Sequence, residues 1–381
     1  HAVGGGDTTG QPRDGHSFVN RISQAKDLLL KYRRHRAILR PSLGRFMYHW
    51  LRGSTEVPYG PLKLHIEPTS FCNLRCPMCP QSVGANENNG FMDMDLFKKI
   101  INEARHFSSE ANLFFRGESL MHKDIYEMVE VCERANIAAH INTNATLLRD
   151  EKIEQLLDAA PSKLTISFDS GEPEQYEAMR KGAKFDQTLE RVMHLLECMQ
   201  RRPSKRPYLV MQVIQLWDSS YPKGAMPVIP EHFLDRFKGL PVDEWDTFWA
   251  HGWAGQMETS DFYTARPHGP NYYPCNWLWK SMAIYWDGKV PSCCADFAED
   301  QIMGDLSTQS VREIWNGKEY QAIRQGHVMG ELDNYKLCRG CDAVWQDDGT
   351  AWNVFAGTRS VLSGKPLPVL QNQSNGVSHT K

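Results

Sequence analysis

At 381 residues and 41% hydrophobic content, the chain is long enough for one large domain plus a smaller one, or for two to three domains. A formal net charge of −3 gives no overall pull toward nucleic acid or an anionic membrane, and no run of about eighteen apolar residues marks a spanning helix. Ten clustered cysteines in a chain of this size speak against a small secreted disulfide framework and for metal in a reducing compartment, so the expected location is cytoplasmic.

The first residues, "HAVGGGDTTGQPRDGHS", lack an apolar core and read as a disordered leader rather than a secretory signal. Residues 18–53 are helical by pattern and strongly basic. Pro41 interrupts them and no apolar face is sustained, so they read as solvated helix packed on the main body. After "VPYGP" the pattern changes to short β-rich runs at 62–68, 112–117, 138–144, 163–169, 208–214 and 244–250. Helical patterns such as "DLFKKIINEARHF" and "DIYEMVEVCERANI" lie between them. Six βα units in a row predict an α/β fold: a parallel sheet covered by helices and curled into a partial barrel. In such folds the active site gathers at the C-terminal ends of the strands. From about residue 263 the alternation gives way to Gly, Pro, Cys and aromatics. The expected division is a leader and basic segment over 1–60, a barrel over 61–262, a small C-terminal domain over 263–345 and a tail over 346–381.

"SFCNLRCPMCPQ", residues 70–81, crowds Cys72, Cys76 and Cys79 directly after the first strand. Soft thiolates select zinc, copper(I) or iron–sulfur clusters. A structural zinc site is closed by four ligands, and no nearby His completes the set. A four-iron cluster held by three thiolates keeps one iron without a protein ligand, open to a substrate or cofactor.

The spacing Cys72-x3-Cys76-x2-Cys79 resembles the signature of the radical S-adenosylmethionine (radical SAM) enzymes. "RGES", with Gly117 and Glu118, resembles that family's "GGEP" motif, which holds the methionyl amino group. "TNAT", with Asn144, resembles "TNGT". "SFDS" contributes Ser167 and Asp169, and Arg180 stands where the methionyl carboxylate is met. Met78 sits where the family contacts adenine. Three positions depart from the pattern: Arg116 replaces the first Gly, Ser119 the Pro, and Ala145 the Gly. The resemblance implies a partial (βα)6 TIM barrel whose unique iron chelates S-adenosylmethionine. An electron from the cluster then yields a 5′-deoxyadenosyl radical that removes a hydrogen atom from an unreactive C–H bond. It also implies an electron donor such as flavodoxin or ferredoxin.

A second thiol set follows the barrel. Cys275 is followed by twelve residues, Gly288, four residues and Cys293, with Cys338 and Cys341 in "CRGC". By spacing alone, four thiolates suit either zinc or a four-iron cluster. The block resembles the SPASM/twitch extension of radical SAM enzymes, including its "IW…R" helix. That resemblance implies one fully ligated auxiliary 4Fe–4S cluster on Cys275, Cys293, Cys338 and Cys341. A closed cluster is suited to moving electrons, not to binding substrate.

Cys132 and Cys198 lie in helical patterns and read as core thiols. Cys294 reads either as a neighbour of a ligand or as a hydrogen-atom donor. In "FWAHGWAG", Trp249 and Trp253 read as packing, and His251 is the candidate acid/base. The favoured substrate is a small sugar, aminocyclitol or nucleoside-type intermediate, dehydrogenated or epimerised at a carbinol carbon. The alternative is modification of a ribosomally made peptide. A non-catalytic electron carrier would have no use for "RGES", "TNAT" and Arg180. No nucleic-acid or membrane partner is expected.

Overall fold

The computed structural model describes residues 41–84, 88–203, 206–216, 227–257, 271–346 and 349–364. The leader, most of the basic segment, the boundary near 263 and the end of the tail lie outside the described residues. Helix α1 (Pro41–Arg52) leads into β1 (Lys63–Ile66), α2 (Met94–Ala104), β2 (Glu110–Leu113), α3 (Ile125–Arg134), β3 (Ala138–Thr143) and α4 (Asp150–Ala159). There follow β4 (Lys163–Ser167), α5 (Pro173–Met179), α6 (Phe185–Arg201), β5 (Tyr208–Gln215), the short α7 (Glu231–Leu234) and β6 (Glu244–Trp249). The remainder comprises β7 (Asn271–Tyr272), α8 (Trp277–Lys280), β8 (Ser281–Ile284), β9 (Lys289–Pro291), β10 (Ile302–Asp305), α9 (Val311–Trp315), α10 (Lys318–Met329), α11 (Lys336–Arg339), β11 (Trp345–Gln346) and α12 (Gly349–Ser363).

Local sequence explains the elements. Phe97, Ile100, Ile101 and Ala104 recur at helical spacing and form the buried face of α2. The Asp93 carboxylate caps that helix by accepting the Asp95 and Leu96 amide hydrogens. Along β3, buried Ala139, Ile141 and Thr143 alternate with half-buried Ala138, His140 and Asn142, the period of two that gives a strand two faces. One face packs under the helices. The other carries a polar row across neighbouring strands. Asn112 meets His65 at 3.2 Å and His140 at 3.1 Å, and His140 meets Thr165 at 2.8 Å.

The described residues form a seven-stranded sheet in the order β6-β5-β4-β3-β2-β1-β8, with all six pairings parallel. Six of these strands are the expected barrel strands. The seventh, β8, comes from the C-terminal region and aligns Lys63 with Ser281 through Ile66 with Ile284. Its four residues are all buried, so the C-terminal region extends the barrel sheet as well as carrying its own antiparallel pairs, β9–β10 and β7–β11. Residues 349–363, assigned to the tail by sequence, form α12. Phe355 packs on Trp50 of α1 and on Tyr273 at ring distances of 4.6 and 4.7 Å, and buried Arg359 reaches the Trp50 carbonyl at 3.3 Å. No sustained apolar stripe announces this helix. Among the described residues no helix is long and apolar enough to cross a membrane.

Candidate active site at the mouth of the barrel

The three-thiol loop, "RGES", "TNAT" and "SFDS" all follow the C-terminal ends of successive parallel strands, so the topology brings them to one mouth. There they line a cavity of about 210 Å³ with Met78, Arg180 and His251. All ten cysteines are free thiols.

The thiol loop is fixed by its backbone. The Arg75 guanidinium donates to the Cys72 and Leu74 carbonyls, both at 2.8 Å, and the Cys79 amide donates to the Cys76 carbonyl at 3.0 Å. Thr69 donates to the Gly90 carbonyl at 2.8 Å, and Ser70 accepts the Gly90 amide at 2.9 Å. Burial, reinforced by the neighbouring thiols, pushes Cys72 up to about 11 and Cys79 up to about 12, and Cys76 is raised as well. Metal binding at this loop must therefore displace thiol protons.

Glycine is obligatory at 117. A Cβ there would lie 2.2 Å from the Thr69 carbonyl oxygen and 2.6 Å from that of Phe71. The close approach lets the Glu118 amide donate to the Phe71 carbonyl at 2.9 Å. The buried Glu118 carboxylate accepts from the Leu120 amide at 3.1 Å, the Thr143 hydroxyl at 2.7 Å and the Asn144 amide at 2.8 Å. Burial raises its pKa against the pull of these three donors. Asn144 donates to the Asn73 side chain at 3.0 Å and accepts the Thr146 amide at 3.0 Å, so it locks the thiol loop to the β3 turn. Ala145, where the resembled pattern has Gly, adopts φ +61°, the left-handed region that favours Gly. Ser167 donates to Asn142 at 3.0 Å.

Arg180 and Asp169 pair at 2.5 and 3.0 Å, and the guanidinium lies 4.0 Å from Cys76 Sγ. Burial pulls the arginine pKa down, but Asp169 and Cys76 outweigh it, so Arg180 stays charged. Arg116 is among the residues lining the cavity, and its guanidinium is tied into a buried network. It bonds both Glu67 oxygens at 2.9 and 3.1 Å, Glu299 at 3.1 Å and the Phe297 carbonyl at 3.2 Å, and lies 4.0 Å from the Tyr285 ring centre. This network ties β1 and β2 to the C-terminal region. Glu67 and Glu299 went unnoticed in the sequence, because nothing local pairs them with Arg116.

The residues after β6 join the two thiol sets. The Trp253 indole donates to the Met78 carbonyl at 3.0 Å, and its ring meets Phe297 edge-on at 5.0 Å. Gln256 reaches the carbonyls of Trp253 and Ala295 and accepts the Phe297 amide. Trp253, Ala254 and Gly255 all have positive φ, a turn that no spacing pattern advertises. His251 accepts the Trp253 amide at Nδ1 (3.2 Å), and desolvation lowers its pKa while Asp342 opposes the shift.

The second thiol set also converges. The thiols lie near enough to raise one another's pKa: Cys275 and Cys341 act on Cys338, Cys294, Cys338 and Cys341 on Cys293, and Cys275 on Cys294. Burial pushes Cys294 and Cys341 up to about 12 and raises the other three. Cys294 therefore stands with this set, outside the cavity lining that holds His251. Buried His327, missed in the sequence, contacts Cys338 Sγ at 3.3 Å, and burial lowers its pKa to about 4. In the "IW…R" segment, Arg324 donates to the Leu278 and Thr55 carbonyls at 2.8 Å and stacks over Trp315. Cys132 and Cys198 are buried in the core.

The donor chemistry fits iron–sulfur clusters. Three soft thiols meet an open cavity, and a separate set gathers around Cys275, Cys293, Cys338 and Cys341. Among the described residues no three His, Cys, Asp or Glu side chains close on a volume suited to one metal ion. A partial barrel with a three-thiol mouth and a second thiol domain defines the class of cluster-dependent enzymes that bind S-adenosylmethionine. Residues 66–212 match the radical SAM superfamily and residues 275–342 match the SPASM iron–sulfur cluster-binding domain. The chain is 30% identical over 332 residues to the tungsten-containing aldehyde ferredoxin oxidoreductase cofactor-modifying protein of Pyrococcus furiosus, covering 76% of this chain and 91% of that protein. It is also 30% identical over 116 residues to the PqqA peptide cyclase of Bradyrhizobium diazoefficiens, covering 30% of each. The solved structure of Streptococcus suis SuiB bound to S-adenosylmethionine shares the fold at a TM-score of 0.55, with 15% identity over 77% of this chain and 74% of that one.

The chain thus belongs to the radical SAM superfamily and carries a SPASM domain. Its cofactors are 4Fe–4S clusters and S-adenosylmethionine.

Proposed function

We propose that the protein oxidises a carbinol carbon of a small sugar, aminocyclitol or nucleoside-type intermediate to a ketone. When bound, the first cluster with S-adenosylmethionine supplies a carbon-centred radical that takes a hydrogen atom, and the auxiliary cluster supplies a one-electron acceptor. Cys72, Cys76 and Cys79 hold the first cluster, and Cys275, Cys293, Cys338 and Cys341 hold the second. Glu118, presented by the Gly117 turn, orients the methionyl amino group, and Arg180 orients its carboxylate. Asn144 and Ser167 complete the polar wall, and Met78 faces the adenine. Their common cavity supports these roles.

One observation carries the choice of reaction. His251 lines the cavity of the three thiols, whereas Cys294 stands among the auxiliary thiols. A carbinol that has lost a hydrogen atom must still lose a proton and an electron to become a ketone. His251 is exposed at the cavity and its pKa is shifted downward, favouring the neutral imidazole, which takes that proton after releasing the Trp253 amide from Nδ1. Epimerisation would need a thiol in the cavity wall to return hydrogen, and Cys294 is not there. Gln212 and Asn142 add polar groups for substrate hydroxyls. The cofactor-modifying name of the 30%-identical relative supports a small-molecule substrate over a peptide.

The reading is tested by incubating reconstituted protein with S-adenosylmethionine, reductant and panels of polyols, aminocyclitols, nucleosides and peptides in deuterated water. One ketone per deoxyadenosine is expected, with no deuterium at the carbinol carbon. Deuterium at that carbon, or a response to peptides alone, contradicts it.

A further inference from the structure

Helix α10 places a histidine between two segments of the auxiliary thiol site. His327 is 1% exposed. Its Nδ1 faces the Cys275 backbone amide at 3.3 Å, and an amide N–H can only donate. Nδ1 therefore presents its lone pair, and the ring hydrogen of the neutral imidazole sits on Nε2. Nε2 lies 3.3 Å from Cys338 Sγ. The Tyr272 hydroxyl donates to the His327 carbonyl at 2.7 Å and fixes the same turn of helix. One ring thus joins the backbone of one auxiliary cysteine to the sulfur of another.

We propose that His327 is a positioning residue for the auxiliary cluster, an N–H donor to the Cys338 sulfur that raises the cluster's reduction potential. The inference rests on the reading that these thiols hold a cluster. A sulfur carrying more negative charge after reduction accepts a stronger hydrogen bond, so the donor favours the reduced state. That direction suits an electron acceptor. It makes the transfer of one electron from the substrate radical more downhill, while the substrate's proton leaves separately. Gly326 beside it has no room for a side chain, since an added Cβ would lie 2.4 Å from the Tyr335 ring, so this helix turn is held close to its neighbours.

The test is a redox titration followed by electron paramagnetic resonance on the full chain with reconstituted iron, comparing the parent with H327F and H327Q. H327F keeps a ring and loses the donor; H327Q keeps an N–H. At unchanged iron content, H327F is expected to shift the auxiliary cluster toward its oxidised state by about tenfold, or 59 mV for one electron. H327Q should remain near the parent, and the first cluster should not move in either variant. An unchanged auxiliary potential in fully loaded H327F overturns the proposal. So does loss of auxiliary iron from either variant, or a strong nitrogen coupling that makes His327 itself a ligand. A parent protein with iron for one cluster only would instead overturn the reading of the thiol set on which the proposal stands.

Discussion

Asp169, just before α5, and Arg180, just after it, face each other with Nη2 3.0 Å from Oδ1, while the same guanidinium reaches toward Cys76 Sγ at 4.0 Å. The aspartate also accepts the Ile214 amide at 3.2 Å, so the arginine is aimed by a group that β5 holds in place. Arg180→Gln should weaken S-adenosylmethionine binding by about tenfold or more, the consequence of losing a charge-assisted hydrogen bond. Asp169→Asn should weaken it less, because the arginine remains but is free to turn. Calorimetric titration of both variants at equal iron content checks the order.

Trp253 makes a similar contribution from the other side of the cavity. Its indole holds the Met78 carbonyl at 3.0 Å. Trp253→Phe keeps the ring and orphans that acceptor, and should weaken cofactor binding by about threefold to tenfold with little change in melting temperature. A change in stability without a change in binding would make Trp253 a packing residue.

His251 and Cys294 separate oxidation from epimerisation. His251→Phe is expected to leave deoxyadenosine release in place while lowering ketone formation by about a hundredfold, the scale of general acid–base catalysis. Cys294→Ala should retain ketone formation. Product analysis by mass spectrometry decides both, and loss of turnover only in Cys294→Ala would favour hydrogen return by a thiol.

The buried Arg116–Glu67–Glu299 network predicts a pH effect on stability. Burial, opposed by Arg116 and assisted by Glu299 and Asp287, raises Glu67 from 4.5 to about 7. The folded protein therefore keeps a proton on Glu67 that the unfolded chain has released, and stability falls as pH rises toward 7. Denaturant unfolding should show stability falling by a few kcal/mol, at most about 3, between pH 5 and 8. Glu67→Gln should lack this component, so a parent-minus-variant difference that stays flat over that range would contradict the assignment.

The motifs after β1 to β4 were legible because each sits within a few residues of a strand end, and a parallel sheet brings strand ends together. Six strands and the gathering of Cys72, Gly117, Asn144 and Ser167 follow from that rule. The long-range relations were not legible. β8 looks like part of a cysteine-rich coil until it is paired with β1, and α12 has no stripe to announce it. His327 stands eleven positions from Cys338 and Trp253 stands 175 from Met78, so neither contact leaves a local pattern. Glu67 pairs with Arg116 and Glu299 only because the C-terminal region folds back over the barrel.

The most direct test concerns the three thiols at the barrel mouth. Protein reconstituted without oxygen should bind about eight irons in two clusters, and a C72A/C76A/C79A variant about four. That variant should release no deoxyadenosine from S-adenosylmethionine. Zinc in place of iron in the parent, or deoxyadenosine release that survives the triple substitution, would contradict the account.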